Sequence, residues 1–422
     1  MRRRTRAASL SAAMIAALAL TACSSGSSGP PVLTWYINPD NGGQARYAAE
    51  CTAEAGGRYI IETSLLPREA SSQREQLARR LAAQDSSIDI MSLDPPFMPE
   101  FAVPGFLAPV PAEMQDLEGN TQGAIDAASW DGEVVSIPFW ANTQLLWYRK
   151  SVAEAAGLDM TQPVTWDQII EAAQAQGATI GAQGQKGESL TVWINALIES
   201  GGGHILENPE APADELKLGL DTDAGREAAR IMREISDSGL GGPGFTTANE
   251  NSSMLLFQGD NGGFMVNWPF VYPATKDAAP EVFEDMGWAV YPQVSEGEPS
   301  APPLGGIVLA VGAYSAHPDL AYEAVACITS VERQVDYFLT NGNPPAAEAA
   351  YDDPKMLEEF PGAQTIRDSL NQAAPRPQTP YYNEVSIGLQ NTWHPISEID
   401  PERTPATSTE FITEVLRGEA LL

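Results

Sequence analysis

Carboxylate and amide side chains follow two predicted strands in the N-terminal part of the chain. Asp94 comes directly after a buried apolar run over 88–93, and Asp40 and Asn41 follow a similar run over 32–37. Carboxylates and amides form paired hydrogen bonds with neighbouring hydroxyl groups, so these residues could bind a molecule rich in hydroxyls. Asp and Asn before Pro or Gly are also common turn formers, and the sequence leaves both roles open.

Tryptophan is the second residue type that could take part in binding. Of nine tryptophans, Trp268 is the most informative, because it leaves an apolar strand over 264–266 and precedes a proline. Its flat apolar face favours packing on the C–H face of a ring over a place in the core. Trp140, Trp147 and Trp193 could serve either purpose, although the alternation of residue types favours the core for Trp147.

Motifs of catalysis are absent from the sequence. There is no Gly-x-Ser-x-Gly elbow, no His-Glu-x-x-His zinc motif and no phosphate loop. His204, His317 and His394 lie far apart in polar or turn contexts, so we predict no catalytic residue, no metal site and no cofactor. A secreted carbohydrate-active enzyme stays an alternative, because 56 acidic residues guarantee some pair of carboxyl groups at glycosidase spacing.

The N-terminus has the features of a lipoprotein signal peptide. Four arginines precede an apolar run over 7–20 that is too short to span a membrane, and the segment ends in Leu20-Thr21-Ala22-Cys23. We predict that residues 1–22 are removed and that Cys23 carries the lipid, palmitate included, which anchors the exported protein to the outer face of the cell membrane. The alternative is an ordinary signal peptide in which Cys23 is incidental. Residues 23–31 then form a Gly/Ser/Pro tether.

The composition indicates an exported globular body with a strong negative charge. The chain has 422 residues, is 43% hydrophobic and has no later apolar stretch long enough to span a membrane. Of its 24 basic residues four lie in the signal peptide, which has no acid, so the mature chain carries 20 basic and 56 acidic residues, a formal charge of −36. Such a field repels nucleic acid and anionic ligands, although acidity can also serve solubility alone.

Two cysteines, Cys51 and Cys327, remain beyond the lipidation site. An even pair in an exported chain favours a disulfide over two buried free thiols, and the sequence leaves both alternatives open. A bridge would join segments 276 positions apart. The chain would then leave its first lobe and return to it.

Strands alternate with helices along the first part of the predicted body. Apolar runs predict strands over 32–37, 58–64 and 88–93, and amphipathic patterns predict helices over 44–54 and 72–84. This alternation predicts an α/β fold with mostly parallel, doubly wound sheets, in which ligands bind beyond the carboxyl ends of the strands. Internal repeats are absent, which argues against a structural or adhesive protein.

Four segments, in colinear order, carry a family resemblance. They are 89–94 (DIMSLD), 138–149 (PFWANTQLLWYR), 266–270 (VNWPF) and 398–402 (EIDPE). Together they resemble the extracellular sugar-binding proteins of the maltose-binding class, and more closely the trehalose-binding lipoproteins of mycobacteria. The similarity runs from about 32 to 422.

This resemblance implies a fold, a function and partners. The fold is a two-lobed, periplasmic-binding-protein-like α/β structure with a cleft between the lobes and a hinge of several crossings. The function is that of a monomeric, non-catalytic receptor that captures a disaccharide, trehalose first, and delivers it to ABC permease subunits in the membrane. Maltose, maltodextrin or a glycerophosphodiester is the alternative cargo.

The resemblance also assigns binding roles to single residues. Asp94 and Asn142 match hydroxyl partners of the family, with Asp40 and Asn41 as weaker candidates. Arg376, which lies between two prolines, matches a cleft arginine that meets a hydroxyl or pairs with an acid across the cleft. Its alternative is a surface arginine held between the prolines.

Three further positions carry alternatives within the same resemblance. Glu250 lies near an acidic pair of the family but is one residue out of register, so Asn249 could take its role. Gly305 and Gly306 permit a close approach of their backbone N–H groups to a ligand, and a role in the hinge alone is the alternative.

Two lobes and three crossings follow from the same template. The N-terminal lobe is predicted over 32–140 and 306–343, and the C-terminal lobe over 141–305 and 344–422. The crossings are predicted after a strand over 133–138, at the glycines of 304–307 before a strand over 308–312, and at 341–345. A bridge between the two cysteines would stay inside one lobe and leave the hinge free.

Overall fold

The computed structural model describes residues 29–422. The predicted signal peptide over 1–22, the lipidated Cys23 and most of the tether over 23–31 lie outside the described residues. Within the described range, no helix is both long enough and apolar enough to cross a membrane.

Strands and helices are interspersed up to Val311, and only helices follow in the described chain. The strands are β1 (Val32–Ile37), β2 (Ile60–Leu65), β3 (Ile90–Leu93), β4 (Ser129–Trp130), β5 (Glu133–Val134), β6 (Ile137–Thr143), β7 (Leu145–Arg149), β8 (Thr179–Gly181), β9 (Gly262–Asn267), β10 (Met286–Ala289) and β11 (Leu304–Val311). The helices are α1 (Gly43–Glu54), α2 (Ala70–Ala82), α3 (Met98–Ala102), α4 (Gln122–Ala127), α5 (Lys150–Ala156), α6 (Trp166–Gln176), α7 (Glu188–Ser200), α8 (Asp223–Asp237), α9 (Glu250–Gln258), α10 (Val271–Ala278), α11 (Pro280–Asp285), α12 (Pro318–Ile328), α13 (Val331–Asn341), α14 (Pro354–Glu359), α15 (Ala363–Leu370), α16 (Tyr382–Thr392) and α17 (Thr404–Leu416).

Two sheets form the centres of two lobes. The first sheet has the order β2-β1-β3-β11-β6, with β1 parallel to β2 and β3, and β11 antiparallel to both of its neighbours. The second has the order β10-β7-β9-β8, in which β8 and β9 alone are parallel. The two-lobed α/β fold is confirmed. The expectation of mostly parallel sheets is wrong for the second sheet, because the alternation that suggested it comes from the first hundred residues only.

Separate apolar cores pack on the two sheets. The core of the first sheet includes Trp35, Leu77 and Val325. The core of the second sheet includes Trp193 of α7 and Ile412 of α17, so the last helix packs with this sheet. Trp147 and Trp193 are fully buried, so both are core residues.

Three chain segments run side by side between the lobes. β6 pairs with β11 on one side, and on the other the Ala141 backbone N–H donates to the Pro344 carbonyl oxygen at 3.2 Å. The strand predicted over 308–312 begins earlier, because β11 spans Leu304–Val311 and includes the glycines of 304–307, and the crossing expected there stays a prediction. Gly306 has φ +125°, and a Cβ there would lie 2.2 Å from the Trp140 carbonyl oxygen, so only glycine permits this close pairing.

The other two predicted crossings stay predictions, and the structure gives the elements around them. The strand predicted over 133–138 is interrupted, since β5 ends at Val134 and β6 begins at Ile137. At the crossing expected over 341–345, the helix α13 ends at Asn341 and Gly342 follows in the left-handed conformation. The predicted lobe boundaries at 140/141 and 305/306 fall inside paired strands, and the division of the chain between the lobes stays a prediction.

A disulfide joins Cys51 in α1 to Cys327 in α12. Both helices pack against the core of the first sheet. Of the two alternatives that the sequence left open, a disulfide or two free thiols, the structure has the disulfide. The bridge stays within one lobe.

Candidate functional site

A cavity of about 460 Å³ opens between the two sheets, beside the three crossing segments. Its walls are the chain after β1, β3 and β9 and the first turns of α2, α7 and α9, which is where ligands bind in α/β sheets. All the predicted binding residues line it: Asp40, Asn41, Asp94, Asn142, Glu250, Trp268, Gly306 and Arg376.

The turn after β1 contributes Asp40, whose carboxylate has structural partners. It accepts hydrogen bonds from the backbone N–H groups of Gly42 at 2.9 Å and Gln44 at 2.8 Å, and from the Tyr337 hydroxyl at 3.1 Å. Asn41 donates its backbone N–H to the Asn341 side-chain oxygen at 3.1 Å, which leaves its own amide for other contacts. The turn role that the sequence left open is therefore present for Asp40, at the border of the cavity.

Asp94 and Arg376 form a paired ion bridge across the cavity. Arg376 Nη2 donates to Asp94 Oδ1 at 2.6 Å, and Nη1 donates to Oδ2 at 3.2 Å. Asp94 follows β3 of the first sheet, whereas Arg376 belongs to the C-terminal part of the chain. Arg376 is 4% exposed, so its alternative as a surface arginine is wrong.

Glu188 is the second acid that binds Arg376. It is the first residue of α7, and its Oε1 accepts from Arg376 Nη1 at 2.6 Å. Burial raises the pKa of the Glu188 carboxyl, the nearby charge of Asp94 raises it further, and Arg376 opposes both effects. One guanidinium thus lies between two carboxylates in a desolvated site.

Trp268 lies beyond the end of β9 with part of its indole exposed to the cavity. The Asn267 side-chain oxygen accepts its backbone N–H at 2.9 Å and fixes the turn that aims it. The indole packs over Gly305, where a Cβ would lie 2.9 Å from the ring atom Cη2. The absence of a side chain at this glycine thus lets an indole from the second sheet cover strands of the first.

The floor of the cavity is the paired face of β6 and β11. Trp140 and Asn142 are two residues apart on β6 and so point to the same face, opposite Ile307 and Gly305. Asn142 uses its side-chain oxygen on the backbone N–H of Thr143, which leaves its amide nitrogen for a ligand. Trp140, which could have been core or cleft, packs on aromatic neighbours and also lines the cavity.

The first turn of α9 carries the pair Asn249 and Glu250, and both residues line the cavity. Asn249 caps the helix, since its side-chain oxygen accepts the Ser252 backbone N–H at 3.1 Å, which leaves its amide nitrogen for other contacts. Within residues 29–422 the carboxylate of Glu250 has no hydrogen-bond partner. The two alternatives for this position therefore stay open.

Several residues of the cavity have no signal in the sequence. Arg68, Glu69 and Gln73 come from the start of α2, and Glu188 from the start of α7. A Cβ at Gly187 would lie 3.7 Å from Glu69 Oε2, so the starts of the two helices face each other across the cleft. Their pairing depends on how the lobes meet, which no local pattern encodes.

The cavity is acidic. The carboxylates that line it are Asp40, Glu69, Asp94, Glu188 and Glu250, and the cations are Arg68 and Arg376. Across the described part of the chain, no group of three or more His, Cys, Asp or Glu side chains is arranged to hold a metal ion. The arrangement of carboxylates, amides and indoles is suited to binding hydroxyl groups and ring faces.

Comparison with known proteins gives relatives along nearly the whole chain. A family model described as bacterial extracellular solute-binding protein matches residues 61–335. A probable ABC transporter-binding protein of Deinococcus radiodurans is 24% identical over 419 residues, 93% of this chain and 96% of that one. A mannitol-binding protein of Pseudomonas aeruginosa is 24% identical over 326 residues, 72% of this chain and 71% of that one.

A solved structure shares the fold. Maltose-bound T. maritima MalE3 superposes with a TM-score of 0.81 at 24% identity, over 92% of this chain and 100% of that one. This likeness supports the two-lobed architecture. Because the family model spans more than half of the sequence, the chain belongs to the bacterial extracellular solute-binding protein family and is a binding protein, not an enzyme.

Proposed function

We propose that this protein captures a neutral disaccharide, with trehalose the first candidate, in the interlobe cleft and delivers it to the permease subunits of an ABC importer. The observation that carries the proposal is that two indoles, Trp140 of β6 and Trp268 after β9, line one cavity together with amides and carboxylates. Two flat apolar walls suit two sugar rings, and the polar groups suit their hydroxyls.

The size of the cavity and the known relatives support a small polyol as cargo. About 460 Å³ is within the range of roughly 300–1,000 Å³ typical of small-molecule sites. Similar proteins are described as maltose-bound and as mannitol-binding, and both ligands are rich in hydroxyls. Trehalose itself rests on the resemblance of the four sequence segments, and maltose or maltodextrin is the alternative within the same class.

The charge of the cavity opposes a glycerophosphodiester. Of its two arginines, Arg376 is already bonded to Asp94 and Glu188, so Arg68 alone is left to meet a phosphate. Five carboxylates on the same walls repel an anion. A neutral sugar avoids this repulsion and can use the carboxylates as hydrogen-bond acceptors.

Closure of the lobes is the step that the permease would recognise. A ligand that contacts Asp94 and Asn142 on one side and Trp268 on the other stabilises the closed arrangement only when both sides are engaged. Lipid attachment at Cys23 would keep the monomeric receptor near the permease. Partition of the expressed protein into a detergent phase tests this lipid attachment, and Cys23→Ala should abolish the partition.

Calorimetric titration of the purified protein tests the cargo. Trehalose should bind one to one with a Kd of about 1 μM or lower, roughly −8 kcal/mol, and maltose, sucrose and glycerophosphocholine serve as comparators. Tighter binding of one of the comparators would keep the proposed receptor function and replace trehalose as its cargo. No binding of any of the four would overturn the proposed sugar-receptor function.

A further inference from the structure

Glu188 is a buried carboxylate with a full set of donors. It is 8% exposed. Its Oε2 accepts from Ser386 Oγ at 2.7 Å, and its Oε1 accepts from the Tyr382 hydroxyl and from Arg376 Nη1. A buried charge is retained only when it is paired and hydrogen-bonded, and all of these donors come from the C-terminal part of the chain.

The segment that carries Arg376 is held by α7 at two points. Glu188 at the start of the helix binds the guanidinium, and Asn195 two turns later donates its amide N–H to the Pro375 carbonyl oxygen at 3.2 Å. Pro375 and Pro377 restrict the backbone on both sides of the arginine. The guanidinium therefore has one preferred position relative to α7.

Asp94 is the partner of Arg376 from the other lobe. It follows β3 of the first sheet, whereas Glu188 and Ser386 lie on α7 and α16, which pack on the core of the second sheet. Tyr382 of α16 also contacts the first sheet's core through Phe97. If the lobes separate, we expect Asp94 to move with the first sheet and Arg376 to stay with Glu188. The guanidinium also keeps an unused donor, since its buried Nε has no partner among residues 29–422.

We propose that Glu188 is a positioning residue for ligand binding: its charge holds Arg376 on the second lobe, in the orientation in which the guanidinium meets Asp94 and a ligand hydroxyl on closure. This inference rests on the proposed sugar-receptor function. Glu188 itself acts through Arg376.

Three variants separate a charge effect from a packing effect. Glu188→Asp keeps the charge and loses a methylene, whereas Glu188→Gln keeps the size and loses the charge. We expect Glu188→Gln to weaken trehalose binding about tenfold or more, as loss of a charged hydrogen-bond partner does, and Glu188→Asp to weaken it less. Glu171→Gln, on the exposed face of α6 and away from the cavity, is the matched control and should bind as the wild type does.

The order of the two affinities decides between the roles. If Glu188 only fills space, the Glu188→Gln protein should bind trehalose more tightly than the Glu188→Asp protein. That order, in variants with wild-type circular dichroism spectra, would overturn the proposal. Equal affinity of Glu188→Gln and wild type would overturn it as well.

A measurement without ligand separates this inference from the choice of cargo. In ¹⁵N spectra of arginine side chains, a guanidinium held by fixed partners gives separate Nη1 and Nη2 signals, and a freely rotating one gives a single averaged signal. Because Asp94 also bonds both Nη atoms, the measurement is made in proteins that carry Asp94→Ala. We expect separate signals for Arg376, assigned with Arg376→Lys, in Asp94→Ala and in Asp94→Ala/Glu188→Asp, and an averaged signal in Asp94→Ala/Glu188→Gln. Separate signals in Asp94→Ala/Glu188→Gln would contradict the proposal even if the protein binds no tested sugar.

Discussion

Trp268 and Gly305 meet so closely that no side chain fits between them. A Cβ at position 305 would lie 2.9 Å from Cη2 and 3.1 Å from Cζ3 of the indole, and real Cβ contacts below 3.0 Å are essentially absent. Gly305 lies on β11 opposite Asn142, so the indole covers the strands that cross between the lobes. The position of the proposed sugar platform thus depends on a glycine in the hinge region.

Gly305→Ala should therefore displace the Trp268 ring and weaken sugar binding, by about tenfold if roughly half of the aromatic contact is lost. Titration calorimetry with trehalose measures the effect. Gly244→Ala is the matched control, because a Cβ there meets nothing within 4 Å. Wild-type affinity in Gly305→Ala would show that the ring position does not matter for the ligand.

Removal of the Trp268 indole itself should have a larger effect. Trp268→Ala loses a flat apolar surface of the kind that contributes roughly 1.5–3 kcal/mol when buried, which corresponds to about 10- to 100-fold in Kd. Trp268→Phe keeps a smaller flat surface, so its Kd for the sugar should lie between the Kd of the wild type and that of Trp268→Ala. If Phe and Ala bind the sugar equally well, the indole is not a ring platform.

Asp94→Ala should abolish measurable sugar binding and leave the fold intact. Arg376 would not be left unpaired in this variant, because Glu188 remains bonded to its Nη1 at 2.6 Å. The loss of a charged acceptor costs about 1.5–3 kcal/mol per hydrogen bond, so two such bonds to a ligand correspond to at least a hundredfold in Kd. Glu113→Ala, on the exposed surface of the same lobe, is the control, and an unchanged Kd in Asp94→Ala would remove this residue from the site.

The sequence alone predicts the parts of the cleft that follow local rules. The buried run before Asp94 and the apolar strand before Trp268 place both residues at the carboxyl ends of strands, where an α/β sheet binds ligands. β1 is found at the predicted 32–37, and α1 begins one residue before the predicted 44. These features depend on the spacing of apolar residues within a single element.

The remaining features depend on contacts between distant segments. Glu188 follows a glycine and precedes a serine, with no periodic pattern around it, and its role comes from Tyr382 and Ser386 nearly 200 positions later. Gly305 and Gly306 favour a turn by propensity, yet pairing with β6 keeps them inside β11. In each case tertiary contact decides the outcome.

The disulfide should stabilise the first lobe without affecting binding. Cys51 and Cys327 join α1 to α12 behind the first sheet, away from the cleft, and the bridge closes a loop of 276 positions. We expect the double variant Cys51→Ala/Cys327→Ala to lower the free energy of unfolding by about 2–5 kcal/mol, since the unfolded chain regains freedom. Denaturant unfolding measures this loss, and a changed Kd for the sugar would show that the bridge also acts on the hinge.

The charge of Glu188 should cost stability in a pH-dependent way. Burial raises the pKa of its carboxyl, Asp94 raises it further, and Arg376 opposes both. The folded protein therefore binds this proton more tightly than the unfolded chain, so the ionised group lowers the free energy of unfolding above its folded-state pKa, by about 1.4 kcal/mol per unit of pKa difference. This penalty disappears as the pH falls below about 4.3, the value expected for the unfolded chain.

Paired thermal unfolding of the wild type and Glu188→Gln measures this penalty, because Gln cannot ionise and the other titrating groups are common to both proteins. The Tm of the wild type relative to Glu188→Gln should rise as the pH is lowered from 7 toward about 4. A relative Tm that falls on acidification would mean that Arg376 lowers the pKa of Glu188 instead. A rise would show that the folded protein binds the proton of Glu188 more tightly than the unfolded chain does, so that burying this carboxyl beside Arg376 costs stability at neutral pH.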